Sequence, residues 1–137
     1  MTDRDDRHEI GDVLVRYATG IDSRDWPLFR TVFTEDCRLD YGEIGTFSGV
    51  DAVVEFMQAA HQMAGYTLHR ITNQAIEVNG DTATARAYID GLIMSQDNTS
   101  GVNAAGFYDD ELVRTDTGWR IYRRRFTSVL IRTVTPG

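Results

Sequence analysis

The chain has one cysteine, Cys37, two prolines and three histidines in 137 residues. A single thiol rules out an intramolecular disulfide and fits the reducing cytoplasm, which is the expected compartment. One cysteine and three scattered histidines offer no zinc-site spacing, and no bound metal or cofactor is expected. No P-loop occurs, no G-x-G-x-x-G follows a strand, and no G-x-S-x-G elbow is present. The N-terminal stretch Met1-Thr2-Asp3-Arg4-Asp5-Asp6-Arg7 is polar and has no signal-peptide core. No apolar run is long enough to cross a bilayer. Positive charge is in deficit: the net charge of −7 disfavours nucleic acid and anionic membranes as partners. Asn98-Thr99-Ser100 matches the N-glycosylation pattern, read as a chance match without a signal peptide.

The hydrophobic content of 42% over this length supports one domain, residues 1–137, with its own core. Ile10, Val13, Leu14, Tyr17, Ala18 and Ile21 recur at helical spacing. Thr2 or Asp3 would cap that helix, with Asp5 and Asp6 in its first turn. Asp25 before Trp26-Pro27 reads as the next N-cap, and Leu28, Phe29, Val32 and Phe33 as a short second helix. Residues 37–41 read as a strand, and Gly42, Gly45 and Gly49 punctuate the loop after it. Ser48-Gly49-Val50-Asp51 resembles a capping box that opens a third helix bearing Val53, Phe56, Met57 and Ala60 on one face. From there the chain turns β-rich: residues 67–78, 82–94, 102–115 and 119–131. Asn79-Gly80-Asp81 and Asp116-Thr117-Gly118 supply hairpin chemistry. Helices first and long antiparallel strands after them predict an α+β fold, a curved sheet wrapped around the helices.

Asp22 falls at the edge of the first helix's apolar face, where a carboxylate needs a partner or a function. Period two puts Thr67, His69, Ile71 and Asn73 on one strand face, aiming His69 at the helices. His8 and His61 read as surface residues. Tyr17 lies on the inward helical stripe, Tyr41 ends the first strand, and Tyr108 alternates with Gly106, Asp110 and Leu112. Each is a core aromatic whose hydroxyl needs a partner, or a pocket group. Arg123-Arg124-Arg125 must split across two faces of a strand, so at least one arginine points inward and needs an anion.

Three stretches together resemble the start of SnoaL-like members of the NTF2-like superfamily: Tyr17-Ala18-Thr19-Gly20-Ile21-Asp22-Ser23-Arg24-Asp25-Trp26, then Phe33-Thr34-Glu35-Asp36, then Leu39-Asp40-Tyr41. Gly45-Thr46-Phe47-Ser48-Gly49, His69-Arg70-Ile71-Thr72-Asn73 and the ending from Gly106-Phe107-Tyr108 to Trp119-Arg120-Ile121 continue it over nearly the whole chain. The branch resembled is that of scytalone dehydratase and hexachlorocyclohexane dehydrochlorinase. The resemblance implies a cone-shaped fold, with a curved antiparallel sheet and three helices from the N-terminal half enclosing one pocket. It also implies a catalytic pair at Asp22 and His69, the histidine being the base. It further implies pocket roles for Tyr41, Tyr17 and Arg124. The dehydratase's second histidine would fall near Ile93, its pocket asparagine at Tyr108, and the dehydrochlorinase's lysine at Tyr17, so neither substrate apparatus is complete.

The leading reading is a cofactor-independent lyase of the dehydratase type, or an isomerase, acting on a small, mostly apolar aromatic or alicyclic molecule. Its alternative is a non-catalytic ligand-binding or assembly protein. A different reaction in the same pocket, such as epoxide hydrolysis or ring closure, stays open, although the Asp-Arg-Asp set of the known epoxide chemistry has no place in the chain. A homotrimer or homodimer is expected, because exposed apolar strands on a convex sheet face need cover. Ser128-Val129-Leu130-Ile131 would join that interface or cover the pocket.

Overall fold

A computed structural model describes residues 2–136. Helix α1 spans Asp3–Asp22. The Thr2 hydroxyl accepts the Asp5 N–H while the Asp5 carboxylate accepts the Thr2 N–H, so two of the orphan donors at the helix start are satisfied. Its apolar stripe is buried throughout, from Ile10 to Ile21. At Gly20 the backbone of Phe29 approaches so closely that an added Cβ would stand 2.8 Å from the Phe29 Cα. Arg24, at φ +57°, turns the chain sharply after α1. Asp25 then caps helix α2, Trp26–Arg30, its carboxylate accepting the Leu28 N–H.

Helix α2 is shorter than the periodicity predicts. Val32 and Phe33 lie outside it, and strand β1 runs Phe33–Asp40 instead of starting at Cys37. Val32 already takes part in sheet contacts, its carbonyl accepting the Ile121 N–H at 2.8 Å, and tertiary pairing outweighs the local helical pattern there. After a 3-10 turn at Gly42–Ile44, strand β2 occupies Thr46–Ser48, within a segment read as loop. Helix α3 spans Val50–His61 and starts from Gly49, at φ +87°, with no side-chain cap. The expected capping box is absent because Ser48 belongs to β2 and the Gly49 N–H bonds the Cys37 carbonyl at 2.7 Å.

Strands β3 (Thr67–Asn79), β4 (Thr82–Met94), β5 (Gly101–Thr115) and β6 (Gly118–Val134) form an antiparallel meander. The sheet order is β2-β1-β6-β5-β4-β3. One pair departs from the all-antiparallel expectation: β1 runs parallel to β6. The chain reaches β3 through α3, at the far edge from β1, so β1 is left to complete the sheet beside the last strand. Bulges between Thr72 and Ala75, Ala105 and Gly106, and Glu111 and Leu112 bend the long strands and increase the twist. The first of these, with Asn73 at φ +50°, ends the alternation that put Asn73 on the His69 face; Asn73 is exposed.

Between helices and sheet lies the core, led by Trp119, Tyr17, Phe29 and Phe33. On the opposite face the mid-sheet is charged, not apolar. Arg86 makes a two-pronged bond to Asp109, and Arg125 lies near Asp40, in a groove of about 1190 Å³. A group of exposed apolar residues lies near the end of β6, where Val129 is 71% and Ile131 55% exposed.

Candidate functional site

Asp22 is the last residue of α1, where the helix dipole disfavours a carboxylate. Three donors answer it. Oδ1 accepts from His69 Nδ1 at 2.7 Å and from the Thr67 hydroxyl at 2.8 Å, and Oδ2 accepts the His69 N–H at 2.9 Å. Thr67 and His69 sit two apart on the edge strand β3, so one strand face delivers both side chains, and the free edge the His69 N–H, to the end of one helix. Burial pushes the Asp22 carboxyl up, but the bonds from His69 and Thr67 outweigh it and hold it below the usual carboxylate range. A carboxylate only accepts, so His69 Nδ1 carries the hydrogen and Nε2 is left with its lone pair. The His69 side chain is only 10% exposed.

Arg24 locks this arrangement from behind. Its Nη1 donates to the Ile21 carbonyl and the Thr67 hydroxyl, and its Nη2 to the Gly65 carbonyl. The Thr67 hydroxyl therefore accepts from Arg24 and passes its own hydrogen to Asp22. Neither Arg24 nor Gly65 is marked by periodicity; the positive φ of Arg24 is the backbone feature that brings its side chain round.

The predicted aromatic residues meet beside the pair. The Tyr17 ring lies edge-on to His69, with centroids 6.3 Å apart. The Tyr17 and Tyr41 hydroxyls are 2.8 Å apart, and the Tyr108 hydroxyl is 3.5 Å from that of Tyr17. Burial raises all three phenols above their ordinary range, so they are neutral donors near neutral pH. Arg124 is the inward arginine of its run, and its required anion is Asp110, gripped through Nε at 2.7 Å and Nη2 at 2.9 Å. Its guanidinium carbon lies 4.3 Å from the Tyr17 ring centroid and 3.8 Å from that of Tyr108. Burial works against the Arg124 charge, but the Asp110 carboxylate outweighs it and keeps the group cationic. Its third nitrogen, Nη1, is buried without a hydrogen-bond partner among the described residues.

Ile93 lies one register step from His69. On the inner sheet face His69 stands opposite Gly91, and Thr67 opposite Ile93. A Cβ placed on Gly91 would stand 4.0 Å from His69 Cδ2 and 3.8 Å from Ile93 Cδ1, so both side chains border the same vacant glycine position. Gly91 in turn faces Ala104, which keeps the sheet floor beside the imidazole free of bulk.

One group escaped the sequence reading. His8 is exposed as expected, but His61 is not a surface residue: it is 8% exposed. Its ring centroid lies 5.9 Å from that of His69, and its Nδ1 bonds the Met57 carbonyl at 2.8 Å. The signal was present in the spacing of Val50, Val53, Met57 and His61, which continues the buried stripe of α3 one turn past Met57. No group of three or more metal-ligating side chains occurs among the described residues.

The SnoaL-like domain family matches residues 2–125. An uncharacterized protein of Mycobacterium tuberculosis (strain H37Rv) is 34% identical over 123 residues, which cover 87% of this chain and 82% of that protein. Among solved structures, a Novosphingobium aromaticivorans protein provisionally named an aromatic ring hydroxylase superposes with a TM-score of 0.88. It is 29% identical and covers 98% of this chain and 96% of its own. A hexachlorocyclohexane dehydrochlorinase, LinA type 2, superposes with a TM-score of 0.84 at 20% identity, covering 94% and 88% of the two chains, and attests the fold.

Proposed function

The chain belongs to the SnoaL-like family, and on that premise we propose that it is a cofactor-independent lyase or isomerase in which His69 takes a proton from carbon. The observation that carries this reading is the His69–Asp22 bond at 2.7 Å, which fixes the hydrogen on Nδ1 and leaves Nε2 as the basic nitrogen. The carboxylate orients the ring and stabilises the imidazolium that forms, as in a triad. Charge that develops on the substrate meets neutral tyrosine donors and the unpartnered Nη1 of Arg124. The side chains packed against these tyrosines include Phe29, Phe33 and Phe126, and such apolar surroundings favour a small, mostly apolar substrate.

The binding-protein alternative has one observation in its favour: the Tyr17 and Tyr41 hydroxyls are already bonded to each other, which leaves only one of their two hydrogens for a ligand. NMR titration of His69 in the native protein and in Asp22→Asn separates the readings. A working pair requires His69 to lose its proton at lower pH in the variant, because the group that stabilises the imidazolium has lost its charge. An identical titration sinks the base assignment. Solvent deuterium appearing at carbon in a recovered ligand distinguishes proton abstraction from simple hydrolysis.

A further inference from the structure

His69 is nearly buried, so a proton that it takes from a substrate needs a way out. His61 stands between it and an open groove of about 780 Å³ along α2 and α3, whose walls include Arg24, Trp26, Gln58 and Gln62. The two imidazole centroids are 5.9 Å apart with the rings tilted 48°. A relay between them runs through one water joining the two Nε2 nitrogens. A carbonyl only accepts, so the bond to Met57 fixes the His61 hydrogen on Nδ1 and leaves its Nε2 as an acceptor.

We propose that His61 is the proton-relay residue of the site, carrying the proton from His69 to solvent through the α2–α3 groove. The proposal rests on His69 being the base. In the elimination the substrate C–H bond breaks and its electron pair becomes the new C=C bond, the leaving group departs with its own bonding pair, and the proton binds His69 Nε2. A water between the rings takes that proton and gives one of its own to His61 Nε2. His61 then releases it to water in the groove, and both rings return to their neutral Nδ1–H form. Burial pushes the His61 imidazole below its usual range, against the Met57 bond, so the residue passes a proton on and does not retain it. His69, Arg24 and Asp22 act on its charge, and Arg30, Asp51 and Glu55 are the further charged groups that line the groove with it. The nearest ring besides His69 is Trp26, with centroids 6.2 Å apart.

The test needs no substrate. In protein labelled with ¹⁵N at histidine, the neutral His61 ring is expected as the Nδ1–H tautomer. Relaxation dispersion near the His69 midpoint then gives the rate at which Nε2 loses its proton. His61→Gln is expected to lower that rate by about tenfold or more, the lower end of what positioned proton-transfer groups contribute. Free imidazole, small enough for the groove, is expected to restore it. An unchanged rate in a natively folded His61→Gln protein overturns the proposal. So does an Nε2–H tautomer of His61 in the native protein, a result that requires no variant. Failure of the base assignment looks different: the His69 titration would not respond to Asp22→Asn, whatever His61 does.

Discussion

At the scale of single residues, Asp22 and His61 are among the groups whose folded pKa is depressed, and each makes stability depend on pH. Asp22 is held down by His69 and Thr67, so its contribution is complete above the unfolded carboxylate range and is lost as pH falls through the folded value. His61 is pushed down by burial: the unfolded chain binds that proton more readily, so stability falls as pH drops below the ordinary histidine range near 6.5. Urea midpoints are therefore expected to decline in two stages on acidification, the first near pH 6. His61→Gln should remove the first stage, and a single decline in the native protein would contradict the His61 assignment. Thr67→Val keeps the shape but deletes the hydroxyl between Arg24 and Asp22, and a loss of about 1–2 kcal/mol in denaturant unfolding is expected. Asp22, His69 and the three tyrosines were legible as candidates because each sits on an inward stripe or strand face. His61 was not, because the apolar face marked by Val53, Phe56, Met57 and Ala60 leaves it on the polar side of α3.

The secondary-structure elements meet at two contacts that test the packing. Gly20 allows α1 and α2 to touch backbone to backbone, with 2.8 Å between the site of an added Cβ and the Phe29 Cα. Gly20→Ala should cost about 1–3 kcal/mol by overpacking, read as a lowered Tm, even though alanine is the better helix former. Between β5 and β6, Arg124→Met strands the Asp110 carboxylate in the core and should cost about 3–5 kcal/mol. The double replacement Arg124→Met with Asp110→Leu should recover much of that loss, because no buried charge is then left unpaired; failure to recover would mean that the tyrosine sandwich depends on the cation itself. The sequence required an inward arginine and a partner anion, and left the partner unnamed. It also assigned Val32 and Phe33 to a helix, where pairing with β6 puts Phe33 at the start of β1 and Val32 in the turn before it, and Asn73 to the inner face, where a bulge turns it outward.

For the whole molecule, the expected oligomer remains to be measured, and the structure relocates the surface that calls for one. The middle of the outer sheet face carries ion pairs, whereas Val129, Leu130 and Ile131 are uncovered near the end of β6. Sedimentation equilibrium is expected to give a dimer or trimer. Leu130→Glu should shift it towards monomer without unfolding, and a native monomer would remove the argument for an interface there.

The amino-acid sequence alone determined the fold class, the order of helices and strands, the inward placement of Asp22 and His69, and the burial of one arginine of three. These are local and periodic properties, set by which side chains share a face and where turns are chemically possible. Only the tertiary structure decided that β1 runs parallel to β6, that Asp110 is the partner of Arg124, and that Arg24 locks the Asp22 site. It also placed the ring of His61 beside that of His69. Each of these joins residues from separate elements, and the spacing between such residues depends on bulges, a positive φ and side-chain packing that no periodicity encodes.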